Sequence, residues 1–383
     1  MRHAGRAVLL LFVLALVSVC LPESLVADPV YPLPSSHVAV QDALNYLRGQ
    51  QAADGSIGGY ADSAWACMAI AAAGQDPSDW DNGGPSLVDY LKAGPPEPFD
   101  EFNMSTFLSR MVLAAVAAGE DPSAFGNWSG SHAGVDIANG NYISALKSLH
   151  NGTQFLQDLT GDPDSAATLN ANFWAVRALV AAGESPNSSL IQSSVDFIID
   201  HQEPDGGWTW GTPDHSWYAP ESTDVDNTAA AIVALGLGER GDSEAVDRGL
   251  SYLRDHQHSS GGFESVWMGL NVQSTAWAIA AIVAVGGDPA SVAWTPADLN
   301  PIDFLLASQE DDGSFGSAVW PTADTIIALV GTTVGGGEET GAFRTSILTR
   351  VTEYPVVMAA VSVAIIALLV VLLAQRIRRW RLR

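Results

Sequence analysis

Two kinds of helix-length segment alternate along the chain, with a repeat of about 45–60 residues. One kind is apolar nearly all round, as in Ala66-Cys-Met-Ala-Ile-Ala-Ala-Ala73 and Thr228-Ala-Ala-Ala-Ile-Val-Ala-Leu235. Such helices are buried on every side. The other kind is apolar on one face, with Asp42, Arg48, Asp247 and Arg254 on the wet face. It carries an aromatic–aliphatic pair in each unit: Tyr46-Leu47, Tyr90-Leu91, Phe155-Leu156, Phe197-Ile198, Tyr252-Leu253 and Phe304-Leu305. Each unit therefore reads as an amphipathic helix followed by a buried one. Six such units predict an all-α fold over residues 37–336, an (α/α)6 toroid of six helix-pair repeats. The buried helices form an inner ring and the amphipathic helices an outer one. Closing the ring removes the exposed ends that an open solenoid must cap.

Local signals bound these helices. The buried helices are expected to stop near Gly74, Gly119, Gly183, Gly238, Gly286 and Gly335, because glycine takes the left-handed conformation that closes a helix. Trp65, Trp174 and Trp277 stand at one distance before their glycines, which marks true repetition. Polar residues at Asp62 or Ser63, Ser105, Asn170, Asp226 and Ser274 are expected to cap the starts. In four units a Gln leads to a Gly and then a bulky apolar residue: Gln51/Gly55/Ile57, Gln202/Gly206/Trp208, Gln257/Gly261/Phe263 and Gln309/Gly313/Phe315.

These Gln-x-x-x-Gly-x-Trp runs resemble the QW motif of the terpenoid cyclase and protein prenyltransferase superfamily, whose repeats build an (α/α)6 toroid. The resemblance implies that Gln51, Gln202, Trp208, Gln257, Phe263, Gln309 and Phe315 are structural residues tying outer helices together. Squalene–hopene-type cyclases of this superfamily carry Asp-x-Asp-Asp, whose middle Asp protonates a polyene. The matching stretch here is Asp224-Val225-Asp226-Asn227, with the middle Asp kept and the last replaced by Asn. By that resemblance Asp226 is a general acid and Asp224 its acidic neighbour. The local reading makes Asp226 a helix N-cap instead, and both stay open at this stage. Zinc-dependent prenyltransferases need a cysteine ligand that this sequence does not offer, so no metal site and no cofactor are expected. Two-domain cyclases hold their polyene with a second helical domain, and no second domain is read in this sequence.

Termini and charge add a cellular setting. Arg2 and Arg6 precede an apolar run that ends near Leu25-Val-Ala27, which reads as a secretory signal peptide over residues 1–27. An uncleaved anchor, or a lipidated Cys20, are the other readings. Residues 337–354 read as a stalk and residues 355–375 as one transmembrane helix. The five arginines in residues 376–383 keep that end cytoplasmic and the toroid outside. The bilayer is thus one expected partner. The net charge is −26, and the part between leader and tail carries about −32, which excludes nucleic acid as a partner. Cys67 lies in an apolar helix and reads as a small core residue.

Candidate chemistry concentrates at one end of the inner ring. Parallel inner helices gather their N-termini, with free amides and partial positive charge, at one mouth. Asp62, Asp224, Asp226 and Asp324 are expected there, with Trp65, Trp174 and Trp277 lining an apolar throat or filling the core. The expected function is a cell-surface module that binds an apolar or isoprenoid-like ligand, or a partner, in this cavity. The alternative is an isoprenoid cyclase-like enzyme with Asp226 as acid. Glycan cleavage by paired carboxylates is a third reading that the QW motif disfavours.

Overall fold

The computed structural model describes residues 31–96 and 103–332. The expected leader, stalk, apolar C-terminal stretch and basic tail lie outside the described residues. Among the described residues no helix is long and apolar enough to cross a membrane.

Six helices form the inner ring: α2 (Tyr60–Ala72), α4 (Met104–Ala117), α7 (Asn170–Ala181), α9 (Val225–Leu237), α11 (Val272–Ala284) and α13 (Val319–Leu329). Each packs on the next, and α13 packs back on α2, so the ring is closed. The cause is compositional. In α2 every residue from Ser63 to Ile70 is buried, and Ala64, Ala66 and Ala69 let neighbouring helices approach. Six helices lie outside them: α1 (Val38–Gly49), α3 (Leu87–Lys92), α5 (Tyr142–Ser148), α8 (Ser189–Asp200), α10 (Glu244–Asp255) and α12 (Pro301–Ala307). These bury one face only; α10 buries Ala245, Val246, Gly249, Tyr252 and Leu253. A five-residue helix, α6 (Pro163–Ala167), precedes α7.

The pairing in space differs from the order in which the pattern suggests it. Each outer helix packs on the inner helix that precedes it, and α1 packs on α13 at the far end of the chain. Closure is reinforced by backbone and side chain: Leu33 N–H donates to Leu329 O at 2.9 Å and the Tyr31 hydroxyl to Ala328 O at 2.9 Å.

The fold is mostly helical, with a strand component that the pattern missed. Two antiparallel hairpins project between helices: β1 (Gly130–His132) with β2 (Val135–Ile137), and β3 (Phe263–Ser265) with β4 (Gly269–Asn271). A second correction concerns Phe155-Leu156, which is not helical. The third outer helix is α5, and Phe155 pairs across a turn with His150, just as Ile57, Phe263 and Phe315 pair with Gln51, Gln257 and Gln309. His150 and Phe155 therefore occupy the places of the motif Gln and aromatic residue.

Two of the four motif glutamines tie their turn to an outer helix, whereas Gln51 and Gln257 bond Trp80 O and Trp294 O in the short turns ahead of the next outer helix. Gln202 Nε2 donates to Gly206 O within its own turn and to Ala245 O in α10, both at 2.8 Å. Gln309 Nε2 donates to Gly313 O and, across the closure, to Ala39 O in α1 at 2.8 Å. Gly206 shows why the turn needs glycine: its φ is +92°, and a Cβ there would stand 2.7 Å from Arg248 O of α10.

Helix ends depart from expectation in detail. The last inner helix closes at Gly331 (φ +71°), whereas Gly335 lies outside the described residues. After α9 the left-handed residue is Glu239, with Gly238 still in a right-handed turn. The capping positions are Gly59, Asn103, Leu169, Asp224 and Asn271, each one to four residues ahead of the expected caps.

Candidate active site

The site is built by a repeated register on the inner helices. In five units a side chain in the first turn or so of the inner helix binds the backbone of the turn before it. Ser63, Asn172, Thr228, Thr275 and Thr322 accept the N–H of Ile57, Phe155, Trp208, Phe263 and Phe315 at 2.8–3.1 Å. This bond fixes each inner helix in rotation, and with it the side chains that face the axis. Two residues before the anchor stand Asn170, Asp226, Gln273 and Trp320. Two residues after it stand Trp65, Trp174, Ala230, Trp277 and Asp324. Four-residue spacing puts these two rows on one helix face, one turn apart.

The upper row opens into a cavity of about 750 Å³ at the N-terminal end of the inner helices. Its floor is aromatic. Trp65 packs edge-on to Trp174 with centroids 5.5 Å apart, Trp174 edge-on to Trp277 at 5.2 Å, and Trp320 stacks on Trp65 at 5.8 Å and 11°. One wall comes from the loop after Trp208, where Trp210, His215 and Trp217 cluster. The hairpin tip contributes Trp267. Trp217 and Trp267 are 68% and 79% exposed, so the mouth is rimmed by aromatic surface. The sequence reading passed over Trp210, Trp217, Trp267 and Trp320. The usable signal was the density of tryptophan in a loop, three within residues 208–217.

Both motif aspartates line this cavity, in different roles. Asp224, not Asp226, caps α9: its Oδ1 accepts Asn227 N–H at 2.7 Å and its Oδ2 accepts Asn227 Nδ2–H at 2.8 Å. Asn227, standing in place of a third acid, so acts as a donor that anchors Asp224. Asn170 Nδ2 in turn donates to Asn227 Oδ1 at 3.3 Å. Burial raises the Asp224 carboxyl to about 6, against those hydrogen bonds and with help from the Asp226 charge. Asp226 is relieved of capping. Its Oδ1 is buried without a hydrogen-bond partner. Burial raises its carboxyl above the ordinary range, and the Ser274 hydroxyl works in the opposite direction. A carboxyl desolvated in this way is held toward its neutral, proton-carrying form.

Two expected mouth residues stand elsewhere. Asp62 is the third residue of α2, and its Oδ2 accepts Gly59 N–H at 3.0 Å, so it serves the helix start and does not line the cavity. Asp324 lies in the middle of α13 because that helix begins at Val319. It is 7% exposed, in the row of the floor tryptophans, and lines a small void beneath them with Arg177. Its Oδ2 accepts Trp277 Nε1–H and Gln273 Nε2–H, each at 3.0 Å. Burial raises this carboxyl to about 7, opposed by those two donors and the Arg177 charge. Burial also lowers Arg177 to about 10. Cys67 is fully buried in α2, and burial pushes its thiol up to about 12, as fits a core residue. Among the described residues no group of three or more His, Cys, Asp or Glu is placed to hold a metal ion.

Comparison with known proteins agrees with this architecture. Residues 168–271, which hold the acidic motif and the Trp-rich loop, match the squalene-hopene cyclase C-terminal domain. Lanosterol synthase of Saccharomyces cerevisiae is 37% identical over 102 residues, covering 25% of this chain and 14% of that enzyme. Lanosterol synthase of Candida albicans is 35% identical over 95 residues, covering 24% of this chain and 13% of its own length. The chain thus matches only a small part of these relatives. The type II terpene cyclase MstE from Scytonema, in its apo form, superposes with a TM-score of 0.50 at 14% identity, covering 76% of this chain and 96% of that one. A variant of the same cyclase holding geranylgeranyl dihydroxybenzoate as substrate superposes with a TM-score of 0.50 at 13% identity, covering 76% and 96%. The class is therefore that of a terpenoid cyclase-like α/α toroid. The resemblance read from the QW motifs is borne out.

Proposed function

We propose that the chain is a class II terpene cyclase-like enzyme that uses Asp226 to protonate an isoprenoid held on the tryptophan floor. The observation that carries this reading is the division of labour within one motif. Asp224 caps the helix, and Asp226, relieved of capping and with a buried, unpartnered Oδ1, lines a Trp-rich cavity. The chemistry needs no cofactor. The Asp226 carboxylic acid gives its proton to a terminal carbon–carbon double bond. The π electrons form the new C–H bond and leave a tertiary cation. Further double bonds of the chain attack in turn, and loss of a proton from the last cation ends an overall isomerisation. Tryptophan faces attract such cations, and a desolvated acid is the donor the first step requires.

The substrate class rests on the cavity's aromatic lining and on the terpenoid held by the structural neighbour. An outward placement, tethered at a membrane by the apolar stretch Val356–Ala374, is part of the proposal and rests on sequence alone. A second reading, a binding module for the same class of ligand without turnover, is favoured by the exposed aromatic rim at Trp217 and Trp267.

The deciding experiment incubates the full-length protein in neutral detergent with linear polyprenes and analyses the organic extract by mass spectrometry. A cyclised product is expected, reduced by about 10²–10⁴-fold in Asp226→Asn. Bound but unchanged polyprene in the wild type would replace the enzyme with the binding module.

A further inference from the structure

The repeat register places Asp324 where Trp65, Trp174 and Trp277 stand in other units. One unit of the ring thus offers a carboxyl to the aromatic floor where three offer indoles. The side chain is nearly enclosed, and one of its oxygens takes two hydrogen bonds from α11, from Trp277 Nε1–H and Gln273 Nε2–H. Neither bond is needed to hold a helix end or a turn. We propose that Asp324 is a positioning residue that acts through Trp277, making the indole a cation-attracting face in the floor, so that the cavity prefers a positively charged ligand to its neutral isostere. This deepens the proposed reaction, in which positive charge travels over that floor, but does not depend on proton transfer from Asp226.

Three physical links support it. First, an indole whose N–H points at a carboxylate is held in one orientation. Trp277 in turn packs edge-on against Trp174 at 5.2 Å and Trp65 at 6.5 Å, so fixing one ring fixes three. Second, an anion at the N–H edge pushes electron density into the ring and strengthens the negative potential of its face, which is what a cation meets. Third, the charges are ordered. Asp324 lies in the floor row and Arg177 one turn deeper, both bordering the same small void. The pair presents its negative end to the cavity, where low dielectric strengthens the field. Burial and the Asp226 charge work against the ionised carboxyl, while the two donors and Arg177 favour it.

The test measures binding of phenyltrimethylammonium and of its neutral isostere, tert-butylbenzene, to full-length protein in neutral detergent by saturation-transfer NMR, at a pH above about 7 so that the Asp324 carboxyl is ionised. Wild type is expected to favour the cation by roughly fivefold or more, the range of a cation–π contact. Asp324→Asn, which keeps an acceptor for Trp277, should bring the ratio near one while leaving tert-butylbenzene binding intact. Trp277→Phe keeps both buried charges, removes the donor, and should lower the ratio in the same sense. An unaltered ratio in Asp324→Asn, equal loss of both ligands, or no preference in the wild type would each overturn the proposal. Failure of polyprenes to cyclise would count against Asp226 as acid and leave this result standing.

Discussion

Asp224 and Asp226 sit two residues apart and do different things because only one of them can reach back over the helix start. From Asp224, in extended backbone, the carboxylate meets Asn227 N–H; from Asp226, already in the first turn, it turns inward. The sequence displayed the acidic motif plainly but could not say which aspartate caps, since either spacing is allowed. Asp324 was visible as an acid yet misplaced at the mouth, because Val319 and Trp320 gave no polar signal that the helix had begun. Its burial carries a stability consequence. A carboxyl raised in the fold binds its proton more tightly there than in the unfolded chain. Its contribution is therefore fully present below the unfolded value near about pH 4 and is lost as pH rises through about 7. Chemical denaturation across that window should show wild-type stability falling with pH by an amount on the order of a few kcal/mol. Asp324→Asn should reduce that slope whatever its absolute stability, leaving the part that the raised carboxyls of Asp224 and Asp226 supply.

At the level of the helix pair, the unit is held by a few recurring bonds rather than by its helices alone. The motif Gln links its turn to the next outer helix or to the short turn ahead of it, and a small hydroxyl or amide on the inner helix holds the motif residue's N–H. The glutamines were legible because one residue type repeats at one spacing. The second bond was not, because Ser63, Asn172, Thr228, Thr275 and Thr322 share a function and not an identity. For the same reason the third unit was misread: with His150 in place of Gln, Phe155 looked like a helix residue. Thr228→Val keeps shape and removes the acceptor for Trp208 N–H inside the core. It should cost about 1–3 kcal/mol, the penalty of a buried unsatisfied donor, measured as a shift in denaturation midpoint at constant slope. A loss within error would mean that Trp208 packing alone sets the register.

Across the whole molecule, the alternation of buried and half-buried helices pointed to the toroid, since a closed ring buries six all-apolar helices, leaves six half-wet ones outside and has no ends to cap. It could not give the direction of pairing, because each outer helix after the first has an inner helix on both sides in sequence. The observed choice leaves α1 without its main partner until the last helix of the ring has been made. Gln309 and Ala39, hydrogen-bonded across the seam, are 270 residues apart. On a ribosome adding about 5–20 residues per second, α1 waits on the order of 15–60 s for α13 to be made. Throughout that interval the face formed by Val40, Ala43, Leu44 and Leu47 has nothing to cover it. Ribosome-stalled chains should therefore keep α1 open to protease at every length that ends short of Leu329, and protect it only once α13 has emerged. In this ring the first helix to be made is the last to find its place.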